Sequence, residues 1–204
     1  MSIQEPRTRI QRKNHETILE AALEVFARHG FDAATLDKIA LEAQMSKPNL
    51  LYYFPSKEAV FQTLMARLLT TWLAPLAALD AGAADPVEEI LGYVRRKLQM
   101  SQEMPRQSRL FAHEILDGAP RIGPALARDL KALVDEKAAV IGAWAQSGRI
   151  ASVDAHHLIF SIWSLTQHYA DFDTQVRAVL GPARDPFAEA SAHLDTVFRR
   201  VLRP

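Results

Sequence analysis

Two short helical segments separated by a tight turn, within residues 35–57, constrain the fold of this chain more than any other feature. Thr35 and Ser46 are residue types that favour helix N-caps, and each stands directly before one of the two segments. Pro48 is compatible with the first turn of the second segment, because amide groups there have no intrahelical partner. Pro55 prevents that segment from continuing further. The pattern therefore predicts a helix, a turn and a second helix, followed by a third, longer one.

The second predicted helix has too few residues to bury much surface, so we ask what its exposed face does. That face is expected to present side chains that hydrogen-bond to phosphates or base edges, namely Lys47, Asn49, Tyr52 and Tyr53. Lys57 follows just beyond, in position for a phosphate, and Thr35 starts the first helix. An ordinary surface corner between two helices is the alternative. The residue types favour a helix-turn-helix at 35–54 whose second helix enters the major groove of DNA.

Two motifs carry a family resemblance. The run Leu-Leu-Tyr-Tyr-Phe-Pro-Ser-Lys-Glu-Ala at 50–59 comes after an Ala-Ala-Leu-x-x-Phe-x-x-x-Gly-Phe segment at 21–31. Together they resemble the TetR-type transcriptional regulators. The resemblance implies an all-α fold, with an N-terminal three-helix DNA-binding domain and a C-terminal helical domain for ligand binding and dimerisation. The turn departs from the family pattern at Gln44, where glycine is usual, and a positive φ there would carry modest strain.

Composition restricts the class of protein independently of any motif. The 204 residues are enough to bury a sizeable core, 49% of them are apolar, and glycine is sparse. The absence of cysteine excludes disulfides, thiolate nucleophiles and cysteine metal sites, and it agrees with a reducing cytosol. No apolar run is long enough to span a bilayer, and the N-terminus lacks a secretory signal pattern. We therefore expect a soluble, cytoplasmic, helical protein.

The net charge is zero, but the basic residues near the N-terminus are concentrated. Residues 1–14 contain four basic residues against one acidic residue, a net +3, whereas residues 15–54 contain three against six, a net −3. The basic residues of the first stretch are Arg7, Arg9, Arg12 and Lys13. A basic arm at 1–13 is often only a solvated tail. Beside a helix-turn-helix, it is also expected to follow the DNA backbone or enter the minor groove.

Apolar periodicity, with punctuation by proline and glycine, predicts further helices and no strands. The DNA-binding domain is expected at 14–56 and the ligand-binding and dimerisation domain at 57–204. The predicted helices are residues 14–29, 35–40, 46–54, 56–80, 86–103, 108–116, 123–146, 155–171 and 186–202. Gly30 is expected to end the first helix, and Asp154 and Asp185 to cap the last two. Helix 56–80 belongs to both domains, and Pro75 is expected to kink or end it.

Catalysis finds little support in the sequence. His156 and His157 are adjacent and therefore point to different helix faces. No His-Glu-x-x-His motif, glycine-rich phosphate loop or serine nucleophile elbow is present. The paired carboxylates Glu88 and Glu89 follow a surface pattern. We expect no enzymatic activity, no metal site and no cofactor.

The family resemblance extends beyond the DNA-binding part, over about residues 15–180. Four C-terminal segments are similar to those of the pyrimidine-utilisation regulators within the family: Trp72–Leu76, Asp129–Lys137, His157–Trp163 and Thr166–Phe172. Those regulators are repressors of pyrimidine-degradation genes that leave their operator when they bind uracil or thymine. The resemblance implies a site for a small pyrimidine effector in the C-terminal domain.

The residues support such a site on physical grounds as well. Trp163, Gln167 and Asp171 fall at i, i+4 and i+8, on one stripe of an otherwise apolar helix. A buried glutamine amide needs partners, and its donors and acceptor match the adjacent C=O and N–H of a pyrimidine dione. Trp163 and Trp72 can sandwich a flat ring, although plain core packing is the alternative for each indole. Further polar candidates are Lys97, Arg109 and His168; the first two are equally compatible with solvated or helix-end positions.

Apolar residues on the last two long helices predict a dimer surface, formed as a four-helix bundle. They are Leu158, Ile162, Leu165, Phe187, Leu194, Val197, Phe198 and Val201. Two recognition helices would then meet successive major grooves about 34 Å apart. The expected partners are operator double-stranded DNA, uracil or thymine, and a second copy of the chain, with no membrane. The alternatives are the same architecture sensing another small planar or apolar metabolite, and a non-transcriptional helical binding protein.

Overall fold

The computed structural model describes residues 8–204, and every regular element within that range is a helix. The elements are α1 (Arg9–Ala33), α2 (Leu36–Glu42), α3 (Lys47–Tyr53), α4 (Lys57–Ala77), α5 (Pro86–Glu103), α6 (Pro105–Leu116), α7 (Gly123–Ala125), a π-helical turn (Leu126–Leu130), α8 (Lys131–Gln146), α9 (Ala155–Asp171), α10 (Asp173–Leu180) and α11 (Pro186–Leu202). The all-α fold expected from the sequence is confirmed.

Aspartate caps account for where three of the long helices begin. Asp85, Asp154 and Asp185 each accept a hydrogen bond of 3.0 Å from an amide in the first turn of α5, α9 and α11 respectively. Proline follows Asp85 and Asp185 at the first helical position, where its missing N–H costs nothing. These starts could be predicted because a cap is a local interaction.

Several helix boundaries differ from the prediction. α1 begins well before residue 14, because Thr8 and Gln11 exchange hydrogen bonds in a capping box. Gly30 adopts a φ of +70° and interrupts α1, yet helical residues resume and continue to Ala33. Pro75 lies inside α4, which ends two residues later, and α6 begins at Pro105 instead of 108. α10 was not predicted.

The chain forms two compact units that are not contiguous in sequence. The first comprises the chain up to Thr70 together with Arg109–Gly123. The second comprises Thr71–Ser108 together with Pro124–Pro204. α4 and α6 therefore each contribute residues to both units. The sequence had suggested a single boundary at 56/57.

An aromatic core holds the first unit together. Its fully buried large side chains are Ile18, Phe26, Ile39, Leu50, Phe54, Phe61 and Met65. The rings of Phe26 and Phe61 meet edge to face with centroids 5.1 Å apart, a favoured arrangement of the two π systems. Leu50 and Phe54 anchor α3 in this core from one side, so the opposite face of α3 remains at the surface.

Residues 109–123, here called the returning segment, join the first unit through Arg121. The Arg121 guanidinium lies over the ring of Phe31, with its central carbon 3.6 Å from the centroid. It also donates to the Glu114 carboxylate at 2.9 Å, and the Arg121 backbone amide donates to the other oxygen at 2.7 Å. Glu114 is only 3% exposed, and a carboxylate at that depth requires such pairing. A longer ion pair of 3.6 Å links Arg121 to Asp32.

The core of the second unit lies between α5, α9 and α11, with α8 packed against α9. Its buried side chains include Ile90, Leu91, Val94, Leu98, Ile141, Ile159, Ile162, Leu194, Phe198 and Leu202. The facing stripes of α5 and α9 are therefore buried against each other, and polar side chains on those stripes need partners.

The predicted dimer surface is wrong for half of its residues. Leu158, Ile162, Leu194 and Phe198 are at most 5% exposed in the single chain, because they fill the core of the second unit. Phe187 packs against the same core. Exposed apolar side chains do remain on these helices, at Phe160, Leu165 and Val201. A dimer contact on α9 and α11 would therefore use these flanking positions.

Among residues 8–204, none of the helices is both long and apolar enough to cross a bilayer. The same residues contain no group of three His, Asp or Glu side chains placed to hold a metal ion.

Candidate functional site

The turn between α2 and α3 has the geometry that the sequence pattern requires. The hydroxyl of Thr35 accepts a hydrogen bond from the Lys38 amide at 3.2 Å, and that of Ser46 from the Asn49 amide at 3.3 Å. Gln44 adopts a φ of +54°, in the left-handed region. The turn therefore keeps the backbone conformation for which glycine is suited, at the cost of strain at Gln44.

α3 presents a polar face to solvent. Lys47, Asn49 and Tyr52 are exposed, and Tyr52 retains 51% of its accessible surface. Lys47 Nζ forms an ion pair of 2.9 Å with Asp37 on α2, in which both side chains are exposed. Exposed pairs contribute about 0–1 kcal/mol, so a phosphate can replace Asp37 as the partner of Lys47 at little cost. This face can therefore bind a polyanion and still hydrogen-bond to base edges.

The expectation that Tyr53 shares this exposed face is wrong. Its side chain is 5% exposed, and its hydroxyl accepts a hydrogen bond of 2.9 Å from Nδ2 of Asn14 on α1. The neighbouring Tyr52 hydroxyl accepts a bond of 3.2 Å from Gln11, one turn earlier on α1. These two bonds connect α3 to α1, so Tyr53 positions the helix instead of facing a partner.

Lys57 also has a different role from the expected phosphate contact. Its Nζ donates to the carbonyl oxygens of Phe31, Ala34 and Asp32, at 2.8, 3.0 and 3.3 Å. It also lies 4.3 Å from the centroid of the Phe31 ring. All three ammonium protons are therefore used on carbonyls at the end of α1 that have no helical partner. Lys57 fastens α4 to α1 and has no proton left for a phosphate in this arrangement.

The predicted basic arm lies partly outside the described residues, and Arg7 belongs to that part. Arg9, Arg12 and Lys13 lie on the first turns of α1. All three are exposed. Three cations on one exposed helix end can contact phosphates without any change of backbone conformation.

In the second unit, the Trp72 indole on α4 has an unsatisfied donor. Trp72 is 6% exposed, and its Nε1 has no hydrogen-bond acceptor within the described part of the chain. A buried N–H without a partner costs about 1–3 kcal/mol, so it is rare in folded proteins. An acceptor supplied by a bound molecule would remove this cost.

Lys97 on α5 lies against Trp72. Its Nζ is 4.1 Å from the centroid of the Trp72 ring, and the residue is only 3% exposed. Burial lowers the pKa of the Lys97 ammonium to about 7, and the Asp171 carboxylate acts in the opposite direction. The solvated position considered for Lys97 from the sequence is therefore wrong. Lys97 also covers one face of the Trp72 ring. The sequence-based expectation that a ligand ring stacks between Trp72 and Trp163 did not take this contact into account.

Trp163 on α9 is half-buried, and its indole N–H is satisfied. Its Nε1 donates a hydrogen bond of 2.6 Å to the Tyr93 hydroxyl on α5. Tyr93 is 4% exposed, and burial raises the pKa of its hydroxyl. The hydroxyl therefore stays protonated, and the pair fixes the orientation of the Trp163 ring.

Gln167 and Asp171 follow Trp163 on the same stripe of α9. Asp171 accepts a hydrogen bond of 2.5 Å from the hydroxyl of Ser108, which is fully buried at the start of α6. Gln167 is partly buried. Tyr93 and Lys97, one turn apart on α5, approach the two ends of this stripe, with Gln167 between them. The stripe is therefore lined by rings and by polar side chains.

The comparisons with known proteins agree with both halves of this description. Residues 18–64 match the family model described as bacterial regulatory proteins, tetR family. Residues 65–204 match the model described as YcdC-like protein, C-terminal region. The chain belongs to the TetR family of bacterial transcriptional regulators. Within that family, it is 49% identical over 175 residues to the HTH-type transcriptional regulator RutR of Escherichia coli K12, covering 86% of this chain and 82% of RutR.

Solved TetR-family structures match the fold over nearly the whole chain. SCO4942 from Streptomyces coelicolor is 27% identical with a TM-score of 0.76, covering 94% of this chain and 99% of that one. The ketosteroid transcriptional regulator KstR2 of Mycobacterium tuberculosis is 19% identical with a TM-score of 0.71, covering 100% and 98%. The latter identity supports the shared fold alone.

Family membership establishes the general function. The chain is a DNA-binding transcriptional regulator, not an enzyme, and TetR regulators bind operator DNA and dimerise. The helix-turn-helix predicted at 35–54 corresponds to α2, the turn and α3, which lie within the residues that match the tetR family model. The non-transcriptional binding protein considered from the sequence is thereby excluded.

Sequence reasoning missed two residues that the structure brings to this part of the second unit. Tyr93 and Ser108 were not considered, although they hold Trp163 and Asp171. Lys97 was named among the polar candidates, but its burial against Trp72 was not predicted. Of the other polar candidates, His168 is exposed and stacks on Phe172 with centroids 5.1 Å apart. No local signal distinguishes these residues, because each becomes important only through a contact distant in sequence.

Proposed function

We propose that this chain represses pyrimidine-degradation genes and leaves its operator when uracil or thymine binds to the second unit. The observation that carries the proposal is the buried indole N–H of Trp72, which has no partner among residues 8–204 and lies close to the Lys97 ammonium. The 49% identity to RutR supports the choice of effector, because it spans the sensor helices as well as the helix-turn-helix. Sensor sequences diverge more readily than DNA-reading ones, so similarity there is the more informative.

A pyrimidine dione offers hydrogen-bonding groups that match the side chains of this stripe and of Trp72. Its imide edge offers an N–H beside a C=O, and the Gln167 amide can accept from one and donate to the other. The second carbonyl is available to the Trp72 indole N–H. The half-buried Trp163 ring, fixed by Tyr93, provides a flat wall for stacking.

The size of the ligand limits how the site must work. Uracil has about eight non-hydrogen atoms, so micromolar binding, about −8 kcal/mol, requires about −1 kcal/mol per atom. That value is close to the ceiling for small ligands. The ring must therefore be almost fully enclosed and nearly all of its polar groups satisfied, which favours a site that starts with unpaired donors.

The DNA contact is proposed to use Thr35, Lys47, Asn49 and Tyr52, with Arg9, Arg12 and Lys13 on nearby phosphates. Tyr53 and Lys57 support this face by holding α3 and α4 against α1. The effector can cause release only if it binds more tightly to the state that does not fit the operator. α4 is the proposed carrier of this coupling, because it bears Trp72 in the second unit and Lys57 in the first.

A mobility-shift titration tests the proposal. The protein would first select its own operator from a random-sequence DNA library, and uracil, thymine and unrelated planar compounds would then be titrated against the complex. Uracil or thymine should release the DNA, and the unrelated compounds should not. Release only by another ring would support the second candidate, a TetR regulator of a different small planar metabolite.

A pair of glutamine variants adds specificity to this experiment. Gln167→Ala should bind DNA normally and lose the response to uracil. Gln175→Ala, on the exposed surface of α10, removes the same group elsewhere and should respond as the wild type does. An unchanged response in Gln167→Ala would remove this residue from the site.

A further inference from the structure

Two lysines are buried in the second unit, and they differ in how their charge is satisfied. Lys137 is 8% exposed, and its Nζ donates to the Leu79 carbonyl at 3.4 Å and pairs with Glu136 at 3.0 Å. Lys97 is 3% exposed, and its Nζ lies against the face of the Trp72 ring, 4.1 Å from the centroid. Proteins seldom bury an ammonium without acceptors, because the desolvation cost is high. The contact with the Trp72 ring offsets only part of that cost.

The groups around Lys97 show what is missing. The Tyr93 hydroxyl is taken by Trp163, and the Ser108 hydroxyl donates to Asp171. Beside Lys97 lies one buried donor without an acceptor in residues 8–204, the indole N–H of Trp72, and the Lys97 ammonium is a donor as well. A molecule that completes this arrangement must therefore bring acceptors, and neutral carbonyl oxygens can do so without adding a charge to a buried place.

We propose that Lys97 is a specificity-determining residue of this site and donates a hydrogen bond to a carbonyl oxygen of the effector ring. This inference rests on the proposed function, since it concerns the same site. A ring with two carbonyl groups satisfies both Lys97 and Trp72. An aminopyrimidine such as cytosine replaces one carbonyl with an NH₂ donor, and a donor facing a donor leaves both unsatisfied. Lys97 therefore selects diones against amino-substituted rings.

Proton uptake accompanies this contact. The groups that act on the Lys97 ammonium are the Trp72 ring on α4 and the Asp171 carboxylate on α9, and Asp171 is the charged one. With a pKa of about 7, the amine is half neutral near pH 7 in the free protein. A carbonyl acceptor stabilises the charged form, so binding draws a proton from solution. Affinity for a dione should therefore fall as pH rises.

Isothermal titration calorimetry with uracil and cytosine tests this inference on the full-length protein. Between about pH 6 and about pH 8, the charged fraction of Lys97 falls roughly tenfold, and the affinity of the wild type for uracil should fall by about the same factor. Titrations in buffers of different ionisation enthalpy should report proton uptake. Lys97→Met keeps the length and apolar bulk of the side chain, and it should bind uracil at least tenfold more weakly near pH 6, with no pH dependence. Its preference for uracil over cytosine should also shrink.

The outcomes separate the two proposals. If the wild type binds uracil but its affinity and proton uptake do not depend on pH, Lys97 does not make this contact, and the proposed function stands. The same holds if Lys97→Met binds uracil as tightly as the wild type. If the wild type binds no pyrimidine at any pH, the proposed function fails and this inference with it. The wild-type pH series needs no variant, so it decides the question even if Lys97→Met folds poorly.

Discussion

Replacing Lys97 with methionine should stabilise the ligand-free protein, and by an amount that depends on pH. The pKa of the ammonium is 10.5 in an exposed lysine and about 7 in the folded protein. Between these values the unfolded chain binds more protons than the native one, so the stability of the wild type rises with pH. The penalty for holding Lys97 is about 4–5 kcal/mol near pH 6 and about 2 kcal/mol near pH 9. The advantage of Lys97→Met should therefore shrink by about 2–3 kcal/mol over this range.

Urea denaturation followed by far-ultraviolet circular dichroism, at several pH values without effector, measures this difference. Lys137→Met is the matched control, because it removes the other buried ammonium of the same unit. It should destabilise the protein by about 1 kcal/mol near pH 6, since the Leu79 carbonyl loses its donor. Parallel stability curves for the wild type and Lys97→Met across the pH range would refute the reasoning. They would mean that the Lys97 ammonium is solvated in the native state.

Three further predictions concern the first unit. Gln44→Gly should stabilise the protein by about 0.5–1 kcal/mol, because the φ of +54° suits glycine, and thermal unfolding measures the change. Lys57→Met should lower the midpoint of thermal unfolding, because three carbonyl groups at the end of α1 lose their donor, at a cost of about 1–3 kcal/mol. Lys47→Ala should leave stability nearly unchanged and reduce the salt dependence of operator binding by about one phosphate contact.

Each of these three predictions has an outcome that would contradict it. A less stable Gln44→Gly would mean that the glutamine side chain supports the turn. If Lys57→Met has normal stability but binds DNA more weakly and with less salt dependence, Lys57 contacts a phosphate, as the sequence first suggested. An unchanged salt dependence in Lys47→Ala would keep Lys47 paired with Asp37 in the complex.

What could be predicted from the sequence follows from the range of each interaction. The caps Asp154 and Asp185 are decided within one helical turn and appear in the structure as expected, whereas Gly30 interrupts α1 without ending it. The strained turn at Gln44 was predictable for the same reason. α1 starts early because the Thr8 capping box is also local, but the basic composition there suggested an arm instead of a helix.

The remaining differences arise from contacts between distant residues. Helical periodicity identified the apolar face that includes Leu194 and Phe198, but it does not reveal whether that face is covered by the same chain or by a second copy. Lys57 and Lys97 have the composition of surface residues, and only the tertiary structure brings carbonyl oxygens to one and an indole ring to the other. The stripe of Trp163, Gln167 and Asp171 was predictable because it lies on a single helix.

The returning segment has a consequence for exchanging parts between regulators. Arg121 and Glu114 lie far along the chain, yet their ion pair and the ring of Phe31 belong to the same compact unit. A chimera that joins the first 56 or 70 residues of this protein to a foreign sensor would leave Phe31 without its arginine. A reporter strain built from such a fusion should need residues 109–123 transplanted along with the N-terminal helices, so the modular unit for engineering is discontinuous.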